Sequence, residues 1–179
     1  MRVALQTARM ELRCFGPGDA ADLHEIFSDP LTHTIGVGPF SSLAQTESWI
    51  GRRVKAFDAM GLAWYGLRLR ENGLLVGNCG VFVGRTGSAE PEVGYEIRHA
   101  YRGRGLAREA ARAVLDECFA AGTGRVWATI RPHNTVSLRI ATGLGMAVQY
   151  ARTDERGELL YLSCPAAGTG DTGAVLSVV

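Results

Sequence analysis

The first third of the chain alternates hydrophobic and polar positions in a way that predicts one strand followed by two helices. Residues 10–15 follow a period of two, which is typical of a half-buried strand. A proline at the first helical position and an Asp-Pro pair at the end bound a helix over residues 17–29. A capping box opens a second helix over residues 42–61, and residues 32–40, between the two helices, are predicted to form a loop.

The middle of the chain predicts three consecutive strands. The apolar runs 62–69 and 74–83 are joined through Asn72-Gly73, a dipeptide that strongly indicates a hairpin in such a position. A turn-rich segment, residues 84–91, separates these runs from a third strand over residues 92–98. Three strands in succession exclude a regular alternation of strands and helices.

The last third returns to alternating elements. Residues 105–121 have helical periodicity and are followed by a short apolar strand over residues 126–130. A second helix is predicted over residues 134–144, with an asparagine at its N-terminal cap. Two closing strands, 146–152 and 159–164, complete the order β-α-α-β-β-β-α-β-α-β-β. The fold class predicted from this order is a mixed α/β (α+β) domain.

Composition narrows the class of protein. The 179 residues are enough for one domain with a sizeable core, assigned here to residues 1–164. Nineteen basic residues against 18 acidic ones give a net charge of +1, which disfavours nucleic acid as the partner. No apolar run approaches the ~20 residues that cross a bilayer, and the N-terminus lacks the pattern of a secretory signal. We therefore expect a cytoplasmic protein without a membrane partner.

The four cysteines stand far apart and lack the paired spacing of a zinc site, so we predict free thiols and no metal. The segment 165–179 is rich in glycine, alanine and threonine and is assigned to a tail outside the domain. Its last residues, 174–179, contain enough β-formers for an edge strand or a homodimer contact, and both alternatives stay open.

The segment 98–107, between the third central strand and the following helix, carries the most chemical information. A dinucleotide-binding turn needs a third glycine where Arg108 stands, and a carboxylate at the end of the next strand, which is missing. A P-loop needs Gly-Lys followed by Ser or Thr, which is also missing. Two interpretations remain: a site where backbone amides hold a pyrophosphate, and a glycine-containing turn with a solvated arginine face.

The pyrophosphate hypothesis rests on two glycines and three arginines. Gly103 and Gly105 let the backbone bend and approach an anion closely. The helix N-terminus favours a negative charge by roughly 0.3–1 kcal/mol at an exposed site. The guanidinium groups of Arg102, Arg104 and Arg108 surround the same point, and their planar shape suits phosphate oxygens.

The turn Arg102-Gly103-Arg104-Gly105-Leu106-Ala107 resembles the Q/R-x-x-G-x-G/A acetyl-coenzyme A turn of the GNAT superfamily of N-acetyltransferases. Other segments resemble the branch that contains the ribosomal-protein alanine N-acetyltransferases, in the same order and over about residues 7–164. These segments are Thr7-Ala8-Arg9-Met10-Glu11-Leu12-Arg13, Val76-Gly77-Asn78-Cys79-Gly80-Val81, Glu92-Val93-Gly94-Tyr95-Glu96-Ile97, Asn134-Thr135-Val136-Ser137-Leu138-Arg139 and Leu144-Gly145-Met146. One such motif is weak evidence, whereas the ordered series is strong.

The resemblance implies a GNAT-type acyl-CoA N-acyltransferase fold, with a central, mostly antiparallel twisted sheet flanked by about four helices. It also implies acetyl-CoA as co-substrate, with its pyrophosphate on residues 102–107 and its pantetheine arm between two splayed strands. By this analogy the exposed backbone groups of Ile97 and Arg98 bind the arm, and Gly94 suits a bulge beside it. Asn134 bonds to the same arm, caps its helix, or does both.

Acetyl transfer needs a neutral amine and a proton for the departing thiolate. Glu92 is the candidate general base, and Glu96 on the same strand face is the reserve; the alternative is an ordinary strand carboxylate paired with an arginine. Ser137 is the candidate proton donor to the thiolate, or else a local cap. Tyr150 and Tyr101 are substitutes for this donor. Among the histidines, none is assigned a catalytic role.

The sequence indicates the identity of the amine acceptor less clearly than it indicates the cofactor. A lysine side chain needs about 4.6 kcal/mol to be neutral at pH 7, and an α-amino group only about 1.1 kcal/mol, so a protein N-terminus is the favoured acceptor. The alternatives are a small-molecule amine (an antibiotic, an amino acid or a polyamine) and a non-catalytic module that binds acyl-CoA. By analogy, the loop 32–40 and Trp64 line the acceptor pocket, or Trp64 belongs to the core.

Overall fold

The computed structural model describes residues 1–33 and 38–166. Within these ranges one sheet has eight strands in the order β1-β2-β3-β4-β5-β6-β8-β7. The strands are β1 (Ala4–Gln6), β2 (Met10–Cys14), β3 (Trp64–Leu69), β4 (Leu75–Gly84), β5 (Gly87–Ile97), β6 (Arg125–Ile130), β7 (Ala147–Asp154) and β8 (Gly157–Pro165). The helices are α1 (Ala20–Phe27), α2 (Leu43–Met60), α3 (Leu106–Ala120) and α4 (Thr135–Gly143). The predicted fold class, a mostly antiparallel sheet with four helices, is confirmed.

The junction between β5 and β6 breaks the antiparallel pattern. The two strands run parallel and pair only at Glu92 and Trp127, whereas every other neighbouring pair in the described sheet is antiparallel. Beyond Glu92, strand β5 continues for five residues to Ile97 without a partner on this side. The sheet therefore opens into a gap between β5 and β6 on the side where β5 leads into α3.

The sheet has a separate hydrophobic core on each face. Helix α3 packs against β4 and β5, and its residues Ala110, Val114 and Leu115 are fully buried in the larger core. Helices α1 and α2 cover the opposite face, where Phe27 and Trp64 belong to a smaller, aromatic core. Residues alternate along a strand, so Val93 and Ile97 of β5 face α3 while Glu92, Gly94 and Glu96 face the side of α1 and α2.

The structure corrects the predicted elements at two places. Strand β1 was not predicted, because it is only three residues long and buries a single side chain, Leu5. The segment predicted as turn-rich, residues 84–91, forms a tight turn at Arg85-Thr86, and Gly87–Pro91 already belongs to β5. The polar residues there face solvent, which conceals the strand from a hydrophobicity pattern.

Strand β8 includes Pro165, the first residue of the assigned tail, which pairs with Arg125. The edge strand or dimer contact predicted for residues 174–179 lies outside the described residues, as do residues 34–37 of the predicted loop.

Candidate active site

The turn between β5 and α3 presents a row of backbone amides. Gly103 and Gly105 have φ angles of +76° and +77°, in the left-handed region that glycine adopts most readily. The first hydrogen bond of the helix runs from the Glu109 amide to the Gly105 carbonyl over 3.1 Å, and no side chain caps the helix start. The amides of residues 103–108 consequently have no acceptor in the described part of the chain. Such a helix start is suited to an anion.

The three arginines that were predicted to surround the start of α3 do not form a ring around it. Arg102 extends inward, where Nε donates to the Ile97 carbonyl over 3.0 Å and a terminal nitrogen donates to the Thr32 carbonyl over 2.7 Å. Arg108 donates to the carbonyl of Gly143 at the end of α4 over 3.0 Å. Arg104 is exposed and lies over the ring of Tyr101, 4.8 Å from its centre. Two of the three guanidinium groups therefore fix the turn to its neighbours.

Arg9, to which the sequence analysis gave no role, also holds the turn. One terminal nitrogen donates to the Arg104 carbonyl over 2.8 Å, and Nε forms an ion pair of 2.7 Å with Glu109 in the first turn of α3. Both the backbone amide and the side chain of Arg9 bind this carboxylate. These bonds join the start of β2 to the amide row. The only sequence signal was the position of Arg9 inside the first GNAT-like motif.

The open side of β5 offers unpaired backbone groups. The Arg98 amide donates to the Val76 carbonyl over 2.8 Å, and ladder bonds in an antiparallel pair alternate between consecutive residues. The backbone groups of Tyr95 and Ile97 therefore point away from β4 and into the gap. Arg98 differs from the prediction made for it, because its amide bonds to β4 and its carbonyl accepts from the Tyr101 amide over 2.8 Å. The free ladder groups are those of Tyr95 and the amide of Ile97, because the Ile97 carbonyl accepts from Arg102.

Glu92 is almost completely buried, with 1% of its surface exposed, and both carboxylate oxygens have partners. Oε2 accepts a hydrogen bond of 2.7 Å from the hydroxyl of Thr129 on β6, and Oε1 accepts from the amide of Arg85. The side chain occupies the space beside Gly84, where a Cβ atom would collide with it. Glu92 therefore supports the β4–β5 turn.

The carboxylate of Glu96 is paired with a histidine, His33, from the segment that follows α1. His33 Nδ1 lies 3.0 and 3.1 Å from the two carboxylate oxygens of Glu96. Both side chains are largely enclosed, with 14% and 7% of their surfaces exposed. The imidazole ring packs against Phe27 and Phe40, with centroid distances of 4.7 and 5.1 Å. No local pattern indicates this pair, because 63 positions separate its members.

The start of α4 lies on the other side of β5. The side-chain oxygen of Asn134 accepts a hydrogen bond of 3.1 Å from the Ser137 amide, so Asn134 caps the helix. The Ser137 carbonyl accepts a hydrogen bond of 3.2 Å from the phenol of Tyr95, whose own backbone faces the gap. Burial raises the pKa of this phenol to about 12. The side chain of Ser137 also hydrogen-bonds to the Tyr95 phenol, and Ser137 is half-buried.

Aromatic side chains cover the sheet face opposite α3. The indole of Trp64 packs on β5 so closely that a Cβ atom at Gly94 would lie 2.8 Å from the ring, and its N–H donates to Asn78 over 3.0 Å. The guanidinium of Arg53 stacks on this indole, 4.2 Å from the ring centre. Desolvation lowers the pKa of Arg53 to about 10. Trp64 thus belongs to the aromatic core and also borders the centre of β5.

Across the gap, β6 and the hairpin of β7 and β8 contribute a second aromatic group. Tyr150 stacks on Tyr161 at 4.5 Å and contacts Trp127 at 5.8 Å. The Trp127 N–H donates to the Glu90 carboxylate over 2.6 Å. Tyr150 and Tyr101, the two substitutes considered for Ser137, are therefore occupied by ring contacts with Tyr161 and Arg104.

Comparisons with known proteins agree with this geometry. Residues 9–147 match the family model described as the acetyltransferase (GNAT) domain, and the chain belongs to this family. The uncharacterized protein YkkB of Bacillus subtilis (strain 168) is 31% identical over 155 residues, which cover 85% of this chain and 88% of YkkB. The predicted relationship to the GNAT superfamily is confirmed.

Two solved structures show how far the same fold extends. RimL, a ribosomal L7/L12 alpha-N-protein acetyltransferase solved in complex with coenzyme A, is 12% identical, with a TM-score of 0.79 over 90% of this chain and 97% of that chain. The microcin C7 self-immunity acetyltransferase MccE, solved with acetyl-CoA and AMP, is also 12% identical, with a TM-score of 0.76 over 88% and 93%. At these identities the likeness concerns the fold.

Two further observations concern membrane-spanning helices and the cysteines. In the described ranges, none of the helices combines the length and the apolar character needed to cross a membrane. The four cysteines all lie in those ranges and are free thiols, with burial raising the pKa of Cys14 to about 11.

Proposed function

We propose that this chain transfers an acetyl group from acetyl-CoA to a primary amine, and that the preferred amine is the α-amino group of a protein or peptide. The observation that carries the proposal is the row of amides at residues 103–108, which have no acceptor in the described structure although they stand at a helix start. Amides left in this state favour an anionic ligand such as a diphosphate.

The residues of the site fit acetyl-CoA along its length. The amides of residues 103–108 would hold the pyrophosphate, and the exposed Arg104 would add its charge. The backbone groups of Tyr95 and the amide of Ile97 would bond to the amide groups of the pantetheine arm, as a neighbouring strand would. The side-chain amide nitrogen of Asn134 is available to the same arm, since only its oxygen is used in capping.

When bound, acetyl-CoA supplies the acetyl thioester. The amine nitrogen forms a bond to the thioester carbonyl carbon, the carbon–sulfur bond breaks, and the sulfur leaves as a thiolate that takes up a proton. The Ser137 hydroxyl, which contacts the phenol of the gap-facing Tyr95, is the proposed donor of that proton. A β5 amide that faces the gap would polarise the thioester oxygen.

Glu92, the base expected from the sequence, fits this scheme less well than its alternative role. Both of its oxygens are bonded, and the pair Thr129 and Arg85 joins it to β6 and to the β4–β5 turn. We infer that Glu92 keeps β5 and β6 together at the point where the gap begins. Replacing it would then destabilise the sheet, whatever its effect on turnover.

The preference for an α-amine has a physical reason. An α-amino group is already partly neutral at pH 7. Forming its neutral state therefore costs only about 1.1 kcal/mol, against about 4.6 kcal/mol for a lysine side chain. RimL shares this fold and acts on a protein α-amine by its name, whereas MccE shares it and binds AMP by its description. The fold therefore admits both acceptor classes, and the acceptor must be measured.

Two experiments test the proposal. Titration calorimetry with coenzyme A should show one binding site, and thiol release from acetyl-CoA should require an amine. The amine panel contains tripeptide amides with different first residues, spermidine, kanamycin and free amino acids, each followed by mass spectrometry for a gain of one acetyl group. We expect the α-amine of a peptide to be modified fastest. Absence of coenzyme A binding, or of turnover with every amine, contradicts the proposal.

A further inference from the structure

His33 and Glu96 form a histidine–carboxylate pair on the sheet face opposite α3, beside the gap. The imidazole Nδ1 lies within 3.1 Å of both carboxylate oxygens, and aromatic rings of Phe27 and Phe40 enclose the ring on its other sides. Such packing allows one orientation of the imidazole. The pair is therefore built into the fold, although its two members come from the segment after α1 and from β5.

The hydrogen bond fixes which nitrogen is free. A carboxylate only accepts hydrogen bonds, so Nδ1 of His33 carries a hydrogen atom and donates it to Glu96. In the neutral ring, Nε2 then has a lone pair. Nε2 has no hydrogen-bond partner among residues 1–33 and 38–166. An imidazole in this state accepts a proton, and the carboxylate stabilises the resulting cation.

The position of the pair along β5 links it to the proposed reaction. Glu96 stands between Tyr95 and Ile97, the two residues whose backbone groups open into the gap. Its side chain lies on the face away from α3 and α4, which is the face left for an acceptor when the cofactor occupies the gap. The pair therefore lies beside the proposed reaction centre, on the side from which an amine would arrive.

The same segment is joined to the cofactor turn. The guanidinium of Arg102 bridges the carbonyls of Ile97 and Thr32, over 3.0 and 2.7 Å, and the His99 amide donates to the Thr32 hydroxyl over 2.9 Å. Thr32 is buried and immediately precedes His33. These bonds fix His33 relative to the turn that would hold the pyrophosphate.

We infer that His33 is the proton acceptor for the incoming amine and that Glu96 positions it. This inference rests on the proposed acetyl transfer. The neutral amine attacks the thioester carbonyl carbon, and its nitrogen, which becomes positively charged as the bond forms, gives one proton to Nε2 of His33. The carbon–sulfur bond then breaks as the carbon–nitrogen bond is completed, and the thiolate takes a proton from the Ser137 hydroxyl or from water. The imidazolium returns its proton to solvent after the product leaves.

Other charged groups border the pair, and any pH profile must be interpreted with them. They come from the end of α1 and from the segment that follows β5. The groups are Glu25, Asp29, Arg98, His99 and Arg102. Hydrogen bonds from Thr32 and the Leu31 amide hold the pKa of Asp29 below its ordinary value, so this carboxylate stays ionised near neutral pH.

The test is the pH dependence of kcat/KM for acetylation of a tripeptide amide with N-terminal alanine, in wild type, His33→Gln and Glu96→Gln. In wild type, both the amine and His33 must lose a proton, so log kcat/KM should rise with a slope of two at the acid end. His33→Gln should be about 100-fold slower at pH 7.5, with a slope of one, because only the amine then titrates. Glu96→Gln keeps an acceptor for Nδ1–H but removes the charge, so about a tenfold loss is expected, with the slope of two retained.

His24→Gln is the matched control. His24 is a histidine of α1 that also has one side-chain partner, with Nδ1 2.9 Å from the Thr46 hydroxyl, but it does not reach β5. This variant should stay within twofold of wild type and keep the slope of two. Coenzyme A affinity, measured by calorimetry, should be unchanged in all three variants, which shows that the fold and the cofactor turn are intact.

The outcomes separate the two proposals. An active wild type together with His33→Gln within threefold of it, or with an unchanged slope of two, overturns the assignment of His33 and leaves the acetyl transfer standing. Loss of coenzyme A affinity in His33→Gln also overturns it, because the residue would then act on the fold. An inactive wild type, with this peptide and with every other amine of the panel, overturns the acetyl transfer and the inference together.

Discussion

The proposed cofactor turn and the proposed acceptor side of this protein are built in different ways. The turn at residues 103–108 presents backbone amides, and its shape depends on glycines at positive φ and on the start of one helix. The acceptor side is formed by side chains that come from α1, α2, β3, β4 and β5, with Trp64, Arg53 and His33 among them. One region is continuous in sequence, and the other is assembled from segments that lie far apart.

The difference shows why a shared fold can serve different acceptors. Backbone amides and ladder groups are the same for any sequence that keeps the turn and the gap, so acyl-CoA binding survives extensive substitution. Side-chain contacts such as the stacking of Arg53 on Trp64 change with single substitutions. Four variants test whether the two regions are as independent as this comparison implies.

Gly105→Val should have the largest effect. A β-branched residue strongly disfavours the φ of +77° found at Gly105, so the helix start must change shape and the amide row with it. We expect coenzyme A affinity to fall by at least 100-fold, which corresponds to about 2.7 kcal/mol. Titration calorimetry measures the change directly.

Gly122→Val is the matched control, because Gly122 has a φ of +95° and follows the other end of the same helix. Backbone strain of about 1–3 kcal/mol is expected in both variants. Equal losses of coenzyme A affinity in the two variants would mean that strain in α3, and not the amide row, determines binding.

Asp19→Asn tests the acceptor side through stability. Asp19 is buried and accepts hydrogen bonds from the Gly16 amide, Arg13 and Arg68, over 2.8, 2.9 and 2.9 Å. These bonds fix the start of α1 to β2 and β3. We expect a loss of about 2 kcal/mol in the free energy of unfolding at pH 7, measured by urea denaturation, because the remaining arginines lose a buried anionic partner. Coenzyme A affinity should be unchanged.

The pH dependence of the same variant gives a second readout. Burial alone would raise the pKa of Asp19, but the hydrogen bonds from Gly16 and Arg68 and the charge of Arg13 outweigh it, so the pKa lies below 3.8 in the folded protein. The folded state then binds fewer protons, so the stabilisation exists above pH 3.8 and disappears as the pH falls through the folded pKa. Wild type and variant should converge in acid. Asp22→Asn, an exposed neighbour that also binds Arg68, should lose less than about 0.5 kcal/mol.

The sequence predicted local elements well and contacts between distant segments poorly, for a physical reason. The hairpin at Asn72-Gly73, the strand over residues 92–98 and the turn that follows are local patterns, and the structure contains each of them. The bond between His33 and Glu96 spans 63 positions, and that between Arg9 and Glu109 spans 100. Contacts of this kind depend on how elements pack, which no local pattern encodes.

Glu92 illustrates a different limit. Its position on the third central strand was predicted, but the space beside Gly84 that its side chain fills became visible only with the folded hairpin. A strand pattern shows on which face a carboxylate lies. It does not show whether hydrogen-bond donors such as Thr129 already occupy that carboxylate.

Ser137→Ala tests the chemistry on the α4 side of the gap. The hydroxyl bonds to the Tyr95 phenol, which keeps its bond to the carbonyl of residue 137 in the variant, so stability should fall by at most about 1 kcal/mol. If it protonates the thiolate, kcat should fall about tenfold while coenzyme A affinity stays within twofold. Steady-state kinetics and calorimetry measure both. Thr142→Ala, on the same helix, whose hydroxyl donates to a helical carbonyl, is the control and should leave kcat unchanged. A normal kcat in Ser137→Ala would assign protonation of the thiolate to water.

Arg9→Ala should have the smallest effect on coenzyme A affinity. It tests most directly whether the cofactor turn is independent of the acceptor side. Its side chain is 48% exposed and holds the turn through the Arg104 carbonyl and Glu109. Removing it leaves the amides in place but releases one of their supports, so we expect coenzyme A affinity to fall about threefold to fivefold by calorimetry. Arg13→Ala is closely matched, because Arg13 lies on β2 just after Arg9, is 52% exposed and also binds an acidic residue, Asp19, on the acceptor side. Both variants should lose at most about 1 kcal/mol of stability. If Arg13→Ala weakens coenzyme A binding as much as Arg9→Ala does, the two regions are coupled through β2 and are not independent.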